Sequence, residues 1–464
     1  MSTSGKDKSK DSAFSYVRRL SRHSVSPRLV GWSVVVGALV GAVVSVFRWT
    51  ISFSVVWLKK LYGFTLDGHW WTLAIILPVS CALAVGLAWM VKSEPLSAGS
   101  GIPDVESRLR SAQPVRFPWA KVLWRKIIGG LMAICPGLFL GREGPSVQIG
   151  ASVGMGMSAS TATTRKFRRE LVAAGAAAGL SAAFTAPIAG VLFVAEEIYS
   201  RFSLKIGLSA FAASLTASSV AVEVFGLKPV FDLPEAHVPP ISQYWQLLVL
   251  GVVLGLVAKL YEKSLFWGFD FYKVLHVPKN LRPLIPLLLV IPVGLFLPDA
   301  LGGGNELVTM LSHANVPILM LVLLFVVRLV GSQLSYGSGL PGGIFLPMLT
   351  LGAVFGALSA RCFEWLGWSG AGMRTDAGYV SLMVIVGMAG LFGAVSKAPL
   401  TAIILVMEMT SYGVLMPLGV VTLLAYIVYD AMGGQPIYDE LGSYAAHGRR
   451  IPKRWRAGVV PSGK

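Results

Sequence analysis

Arg142 and Glu143 stand side by side inside LFLGREGPSVQIGA (138–151), in a chain that is otherwise strongly apolar. A charged side chain at the centre of a bilayer costs about 3 kcal/mol or more, so an ionisable pair at that depth is a functional candidate by default. The pair sits in GREGP (141–145), one of three glycine-rich breaks; the others are GSGIP (99–103) and GSGLPGGIFLP (337–347). Each break precedes or opens an apolar stretch. A helix start leaves backbone N–H groups unpaired and carries partial positive charge, so it binds an anion with no full cation present. Glycine lets the backbone approach the ion, and proline suits the first helical turn. One such break is an ordinary turn. Three in one apolar chain, two of them inside a repeat, read as backbone cradles for an anion.

The elements that must position these breaks are long apolar segments. Of 464 residues, 54% are hydrophobic and 14% charged, with a mean hydropathy of +0.67. A soluble domain carries about a quarter charged residues. Predominantly apolar runs at 29–58, 71–91, 171–194, 247–260, 318–330, 380–395 and 400–429 recur along the chain, several of them long enough to cross a bilayer. The chain is therefore read as an all-α polytopic membrane protein. The runs at 127–140 and 343–358 look too short or interrupted for simple spans, and broken helices at membrane depth line polar cavities.

An internal repeat organises the chain. AGLSAAFTAPIAGVLFVAEE (178–197) parallels AGLFGAVSKAPLTAIILVMEMT (389–410), with one residue inserted before the second Ala-Pro. Upstream, GREGPSVQIGASVG (141–154) parallels GIFLPMLTLGAVFG (343–356) without a gap. The division is then a basic segment 1–28, a first half 29–225, a polar proline-rich linker 226–243, a second half 244–438 and a basic tail 439–464. Repeats of this kind mark transporters, with the binding site at the repeat interface.

The net charge of +17 collects at the ends, from Lys6 to Arg28 and from Arg449 to Arg456. Such clusters mark cytoplasmic segments and touch anionic lipid, so both termini are expected inside and the number of crossings even. An even count fits two odd, inverted halves and two even, parallel halves alike. No aromatic–basic module accompanies the charge, so nucleic acid is not an expected partner. The first 28 residues are polar, with no apolar core of a secretory signal. Cys81, Cys135 and Cys362 lie far apart and the histidines show no i, i+4 pairing, so neither a metal nor a disulfide framework is expected. An intramembrane enzyme needs a nucleophile–base pair or metal ligands within apolar segments, and no such pairing is present; the protein is not expected to be an enzyme.

The three breaks, in order and spacing, resemble the signature regions of the CLC chloride channels and chloride/proton exchangers. The run 173–197 and the late GGQPIY (433–438) are similar to the bacterial exchangers, and the resemblance extends over roughly residues 30–440. It implies inverted halves, tilted and broken helices whose N-termini converge on dehydrated chloride, and a homodimer with one pore per protomer. It also implies residence in the bacterial plasma membrane, and no cofactor, chloride being substrate. By the same resemblance Glu143 is the external gating glutamate and Glu197 the internal proton-transfer glutamate. Ser100 and Tyr438 are hydroxyl donors to chloride, Tyr438 also forming the inner constriction. Ile344 and Phe345 present backbone N–H groups to the ion. Arg142, Gly144 and Lys126 support the anion path. Asp104 departs from the glutamate of many relatives, beyond the ion-facing atoms, and the tail after Tyr438 is too short for paired cytoplasmic regulatory domains.

Deprotonated, Glu143 is an anion where anions are held and plugs the pore; protonated, it yields to chloride, which is a minimal device for exchange. The chain is therefore expected to exchange chloride for protons in opposite directions, with some nitrate or bromide permeation. The alternative is a passive chloride channel of the same fold, which needs no acid at 197. Plainer roles stand beside these. Glu143 pairs with Arg142 or Lys126; Glu196, which the repeat matches to Glu408, braces a helix; Ser100 bonds its own turn; Tyr438, Arg125 and Lys126 anchor at the membrane interface.

Overall fold

The computed structural model describes residues 26–448 apart from 112, 114, 200–202, 314, 369–376 and 411. The basic ends, Arg28 excepted, lie outside the described residues. Regular structure among the described residues is helical, and β-pairing is confined to two isolated bridges. The first half runs α1 (Pro27–Leu66), α2 (Leu73–Ser93), α3 (Ile102–Arg110) and α4 (Trp119–Ile134). It continues with α5 (Glu143–Ser160), α6 (Arg168–Phe184), α7 (Pro187–Phe193) and α8 (Leu204–Phe225), a single turn (Ala162–Arg165) lying between α5 and α6. The second half repeats the order with α9 (Trp245–Val274), α10 (Leu284–Phe296), α11 (Asn305–His313) and α12 (Ile318–Gly337). Then come α13 (Phe345–Trp365), α14 (Ala377–Ser396), α15 (Pro399–Met409) and α16 (Leu415–Ala431), and α17 (Ile437–Gly448) follows outside the repeat. Among the described residues, seven helices are long and apolar enough to cross a membrane: α1, α2, α8, α9, α12, α13 and α14.

Side-chain size decides the layers. In α6 every residue from Leu171 to Phe184 is buried, and in α14 every residue from Gly378 to Ser396. Small and apolar residues on all sides leave no polar face to turn outward, so both helices sit at the centre. The surrounding α1, α2 and α9 expose Trp49, Trp89 and Leu248, as lipid-facing helices do. At the centre, α5 crosses α6 at Gly150 and Gly175, and α13 crosses α14 at Gly352 and Gly387. A Cβ on any of these four glycines would run into the partner's backbone carbonyl. Glycine at the crossing is what lets the helices touch backbone to backbone.

Two reciprocal contacts show that the halves are inverted. Gly141 and Gly343 exchange N–H···O bonds of 2.7 and 2.8 Å in an antiparallel bridge. Glu196 accepts from the N–H groups of Leu400 and Thr401 at the start of α15, while Glu408, at the end of α15, accepts from Ile188 and Ala189 at the start of α7. Each helix end thus caps the other's beginning, which requires α7 and α15 to run antiparallel.

Three sequence expectations are corrected. The runs at 171–194 and 400–429 are each two helices: α6 breaks at Ala186 into α7, and α15 turns into α16 after Met409. The run at 343–358 is no short segment, because α13 continues to Trp365. The inserted residue before the second Ala-Pro does not exist. Gly175 and Gly387 occupy equivalent crossings, Thr185 and Lys397 both turn the chain at φ 56°, and the two intervening stretches are equal in length. The matching AGL triplets had drawn the alignment off by one.

The crossings generate a stability prediction. Gly387→Ala forces Cβ into the Gly352 carbonyl and should lower stability by ~1–3 kcal/mol. Gly419→Ala, on α16 with nothing within 4 Å, should leave it unchanged or slightly raised. Thermal unfolding in detergent distinguishes the two; equal midpoints would contradict the backbone-contact reading.

Candidate functional site

The three glycine-rich breaks meet. Gly99 N–H donates to Leu340 at 3.1 Å and Gly342 N–H returns a bond to Gly99 at 3.1 Å, which stitches the first break to the third. The Gly141–Gly343 pair stitches the second to the third. Glycine is demanded at two of these positions. Gly101 takes φ 84° with Gln148 where a side chain would lie, and a Cβ on Gly144 would stand 2.7 Å from Ser100 Cβ. The consequence is that α3, α5 and α13 begin at a common point, at Ile102, Glu143 and Phe345. The first N–H groups of α13, including those of Ile344 and Phe345, precede its opening bond, which Met348 donates to Ile344.

Lys126 holds the first break in place. Fully buried on α4, its Nζ donates to the carbonyls of Ser97 and Gly99 at 2.9 and 2.6 Å. It is therefore no interface anchor. Its neighbour Arg125 has that character, with its guanidinium 4.4 Å from the Trp89 ring. Sequence reading missed the counterpart in the second half. Arg328, also fully buried, donates to the carbonyls of Ala300, Gly302 and Gly303 at 2.9, 2.6 and 2.5 Å, in the glycine loop that opens α11. The signal was the repeat itself: Arg328 lies as far ahead of Gly343 as Lys126 lies ahead of Gly141.

Glu143 is fully buried at the head of α5, and neither carboxylate oxygen has a hydrogen-bond partner. Arg142 Nε stands 3.8 Å from Oε1, and that guanidinium donates instead to Ser52 at 3.3 Å. The second cation nearby, Arg48, bonds Thr185 Oγ1 at 3.0 Å and lies 4.0 Å from the Phe225 ring. The N–H groups of Glu143 itself and of Leu346 face the carboxylate. The group is held by helix-start dipoles and by cations at a distance, not by a close ion pair, and Lys126 is committed elsewhere.

Ser100 is buried, and its Oγ accepts the Ile102 N–H at 3.3 Å. The turn-serine role is thus realised, and a hydroxyl that accepts still has its own proton to give. Tyr438, on the first turn of α17, is fully buried with an unpartnered hydroxyl, which no interfacial anchor would be. A buried, unsatisfied hydroxyl calls for an explanation, and a transient ligand supplies one. Beside these donors stands an apolar wall, Phe345 packing on Phe392 at 4.2 Å and on Phe184 at 5.5 Å. Few polar donors in dry surroundings act strongly on an anion.

Glu197 is buried on the Tyr438 side of that cluster, in a π-helical turn (Val194–Ile198) that continues α7. Adjacent in that turn, the two acids point to different faces. Glu196 is spent on the α15 cap, its Oε2 accepting Thr401 N–H at 2.7 Å and Thr401 Oγ1 at 2.8 Å, while Glu197 lies near Asp439 and Arg110. Single-turn π segments recur at functional sites, and nothing in the sequence announced this one.

A family profile described as Voltage gated chloride channel matches residues 81–430. The H(+)/Cl(-) exchange transporter ClcA of Vibrio parahaemolyticus is 35% identical over 439 residues, covering 91% of each chain. The transporter of the same name from Vibrio vulnificus is 36% identical over 441 residues, again covering 91% of each. Among solved structures, a slow cyanobacterial Cl-/H+ antiporter superimposes with a TM-score of 0.82 at 29% identity, over 92% of this chain and 100% of that one. With three-quarters of its length inside the family profile and its three breaks joined at one point, the chain belongs to the voltage-gated chloride channel family.

Proposed function

We propose that the protein exchanges chloride for protons in opposite directions across the membrane, with Glu143 competing against chloride for one site. The relatives at 35–36% identity carry the name of that exchange. The observation that carries the mechanism is the Glu143 carboxylate, fully buried at a helix start without a hydrogen-bond partner. An anion there is attracted by helix-start N–H groups and by Arg142 and Arg48. Whichever anion is present, carboxylate or chloride, meets the same field. Protonation removes the carboxylate's claim, and chloride takes its place.

In this reading Ser100 and Tyr438 donate hydroxyl protons to chloride, and Ile344 and Phe345 donate backbone N–H groups. Gly144 keeps Ser100 close, and Lys126 holds the loop that presents it. Glu197 passes protons to the cytoplasm along a branch of its own. A passive channel of the same fold has no use for a buried acid at that position. No cofactor and no covalent chemistry enter. The repeat halves 29–225 and 244–438 frame the pathway, with both termini in the cytoplasm of a bacterial plasma membrane and the basic ends on anionic lipid. Two such protomers form a homodimer, each with its own pore. The apolar side chains exposed on α7, α8, α15 and α16, among them Ile188, Phe211, Leu400 and Leu423, support that pairing.

Reconstituted vesicles test these roles. Glu143→Gln should keep anion flux, end proton coupling and remove most of the pH dependence of flux; uphill proton pumping by this variant would overturn the gate. Glu197→Gln should abolish proton movement while chloride still passes. Glu196→Gln should keep coupling and lose ~0.5–2 kcal/mol of stability with its cap. Exchange of those two phenotypes would shift the proton role by one residue. Tyr438→Phe with Ser100→Ala should weaken chloride binding in calorimetry by ~1.5–3 kcal/mol per lost charge-assisted bond. Unchanged affinity in the double variant would remove both hydroxyls from the site.

A further inference from the structure

One guanidinium outside the ion path touches both of its inner branches. Arg110 closes α3 at the end away from Ser100. Its Nε donates to the Ile198 carbonyl at 2.9 Å and its Nη2 to the Glu197 carbonyl at 2.5 Å, both in the π-turn. Its Nη1 pairs with Glu106 at 2.7 Å and with Asp439 at 2.8 Å. Asp439 follows Tyr438 in the first turn of α17. The same group is therefore bonded to the backbone of the residue assigned to the proton and to the neighbour of the residue assigned to chloride. Only a planar fork with five donors spans two carbonyls and two carboxylates at once; an ammonium has three donors on one atom.

Among the described residues, the other supports of α17 come after its first turn. It packs on α3 and α14, with Gly442 against Pro103, and on α9 through the Tyr444 ring, 4.8 Å from Phe269 and 5.7 Å from Phe266; the chain beyond it lies outside the described residues. The Tyr438 hydroxyl has no bond of its own to hold it. What fixes the first turn of α17 against the π-turn is the Arg110–Asp439 pair.

We propose that Arg110, through Asp439, is a positioning residue that latches Tyr438 to the Glu197 turn and so keeps chloride from slipping past without a proton. The inference rests on the exchange reading above. With the latch open, α17 tilts, the inner constriction widens, and chloride passes independently of Glu197.

The test uses the full-length protein with two readouts. Amide hydrogen exchange over 437–441 reads the latch without reference to transport. Proton-to-chloride stoichiometry in vesicles reads its consequence. Asp439→Asn should raise amide exchange by about fivefold, the population change expected for losing a half-exposed ion pair. Protons moved per chloride should fall to about half or less as the unlatched population slips. Arg110→Lys keeps the charge and loses the fork, so it should behave alike, while Asp439→Glu should retain coupling. Glu364→Gln, which breaks a half-exposed pair with Arg361 on α13, should change neither readout. Unchanged amide exchange in Asp439→Asn, a loosened helix with native stoichiometry, or Asp439→Glu behaving as Asp439→Asn would each overturn the proposal. A native protein that moved no protons against chloride would sink the exchange reading instead, and amide exchange alone would then decide the latch.

Discussion

Two backbone hydrogen bonds between Gly141 and Gly343 are the point from which the rest of the structure takes its form. They join equivalent residues of the two halves, so everything built on them appears twice and in opposite directions. Joining the breaks there brings helix starts together in a dry interior, where unpaired N–H groups find no water. That arrangement is unfavourable until an anion arrives, and the chain supplies one of its own in Glu143. The buried cations serve the same geometry. Lys126 and Arg328 hold the carbonyls of two glycine loops turned toward themselves, one ahead of α3 and one ahead of α11.

The two glutamates near the second break of the first half show how local geometry separates roles that sequence leaves adjacent. Glu196 and Glu408 form a reciprocal cap across the pseudo-twofold axis, a purely architectural use of a carboxylate. Glu197, next to it on the π-turn, escapes that duty because it faces Asp439 and Arg110. It is there that α3, the π-turn and α17 meet around Arg110. The Glu197 end of the site is thus a junction of charged groups, whereas Glu143 is a single carboxylate among helix-start dipoles.

Much of this was legible in the residue pattern. The three breaks named the site because glycine and proline at helix starts have few other uses in an apolar chain, and the Ala-Pro repeat named the halves. Register was misjudged by one residue because the AGL triplets match by composition, whereas the true marker is the glycine that each crossing requires, Gly175 and Gly387. Lys126 stood as an anion-path residue by resemblance and as an interface positive by residue type alone, because burial of one lysine beside one arginine leaves no trace in a single sequence. Arg328 was overlooked because its loop, GGGN (302–305), carries no proline and no charge, although the repeat places it opposite Lys126. The Arg110–Asp439 contact joins residues 329 positions apart, beyond any periodicity a single chain can display.

The central claim is that proton and chloride compete for one place, so that neither moves without the other. The reversal potential of the reconstituted protein, measured under independent chloride and pH gradients, addresses it most directly. Exchange requires the potential to shift with the pH gradient at fixed chloride and with the chloride gradient at fixed pH. A potential that follows chloride alone, indifferent to pH, would contradict the account and leave a passive pore.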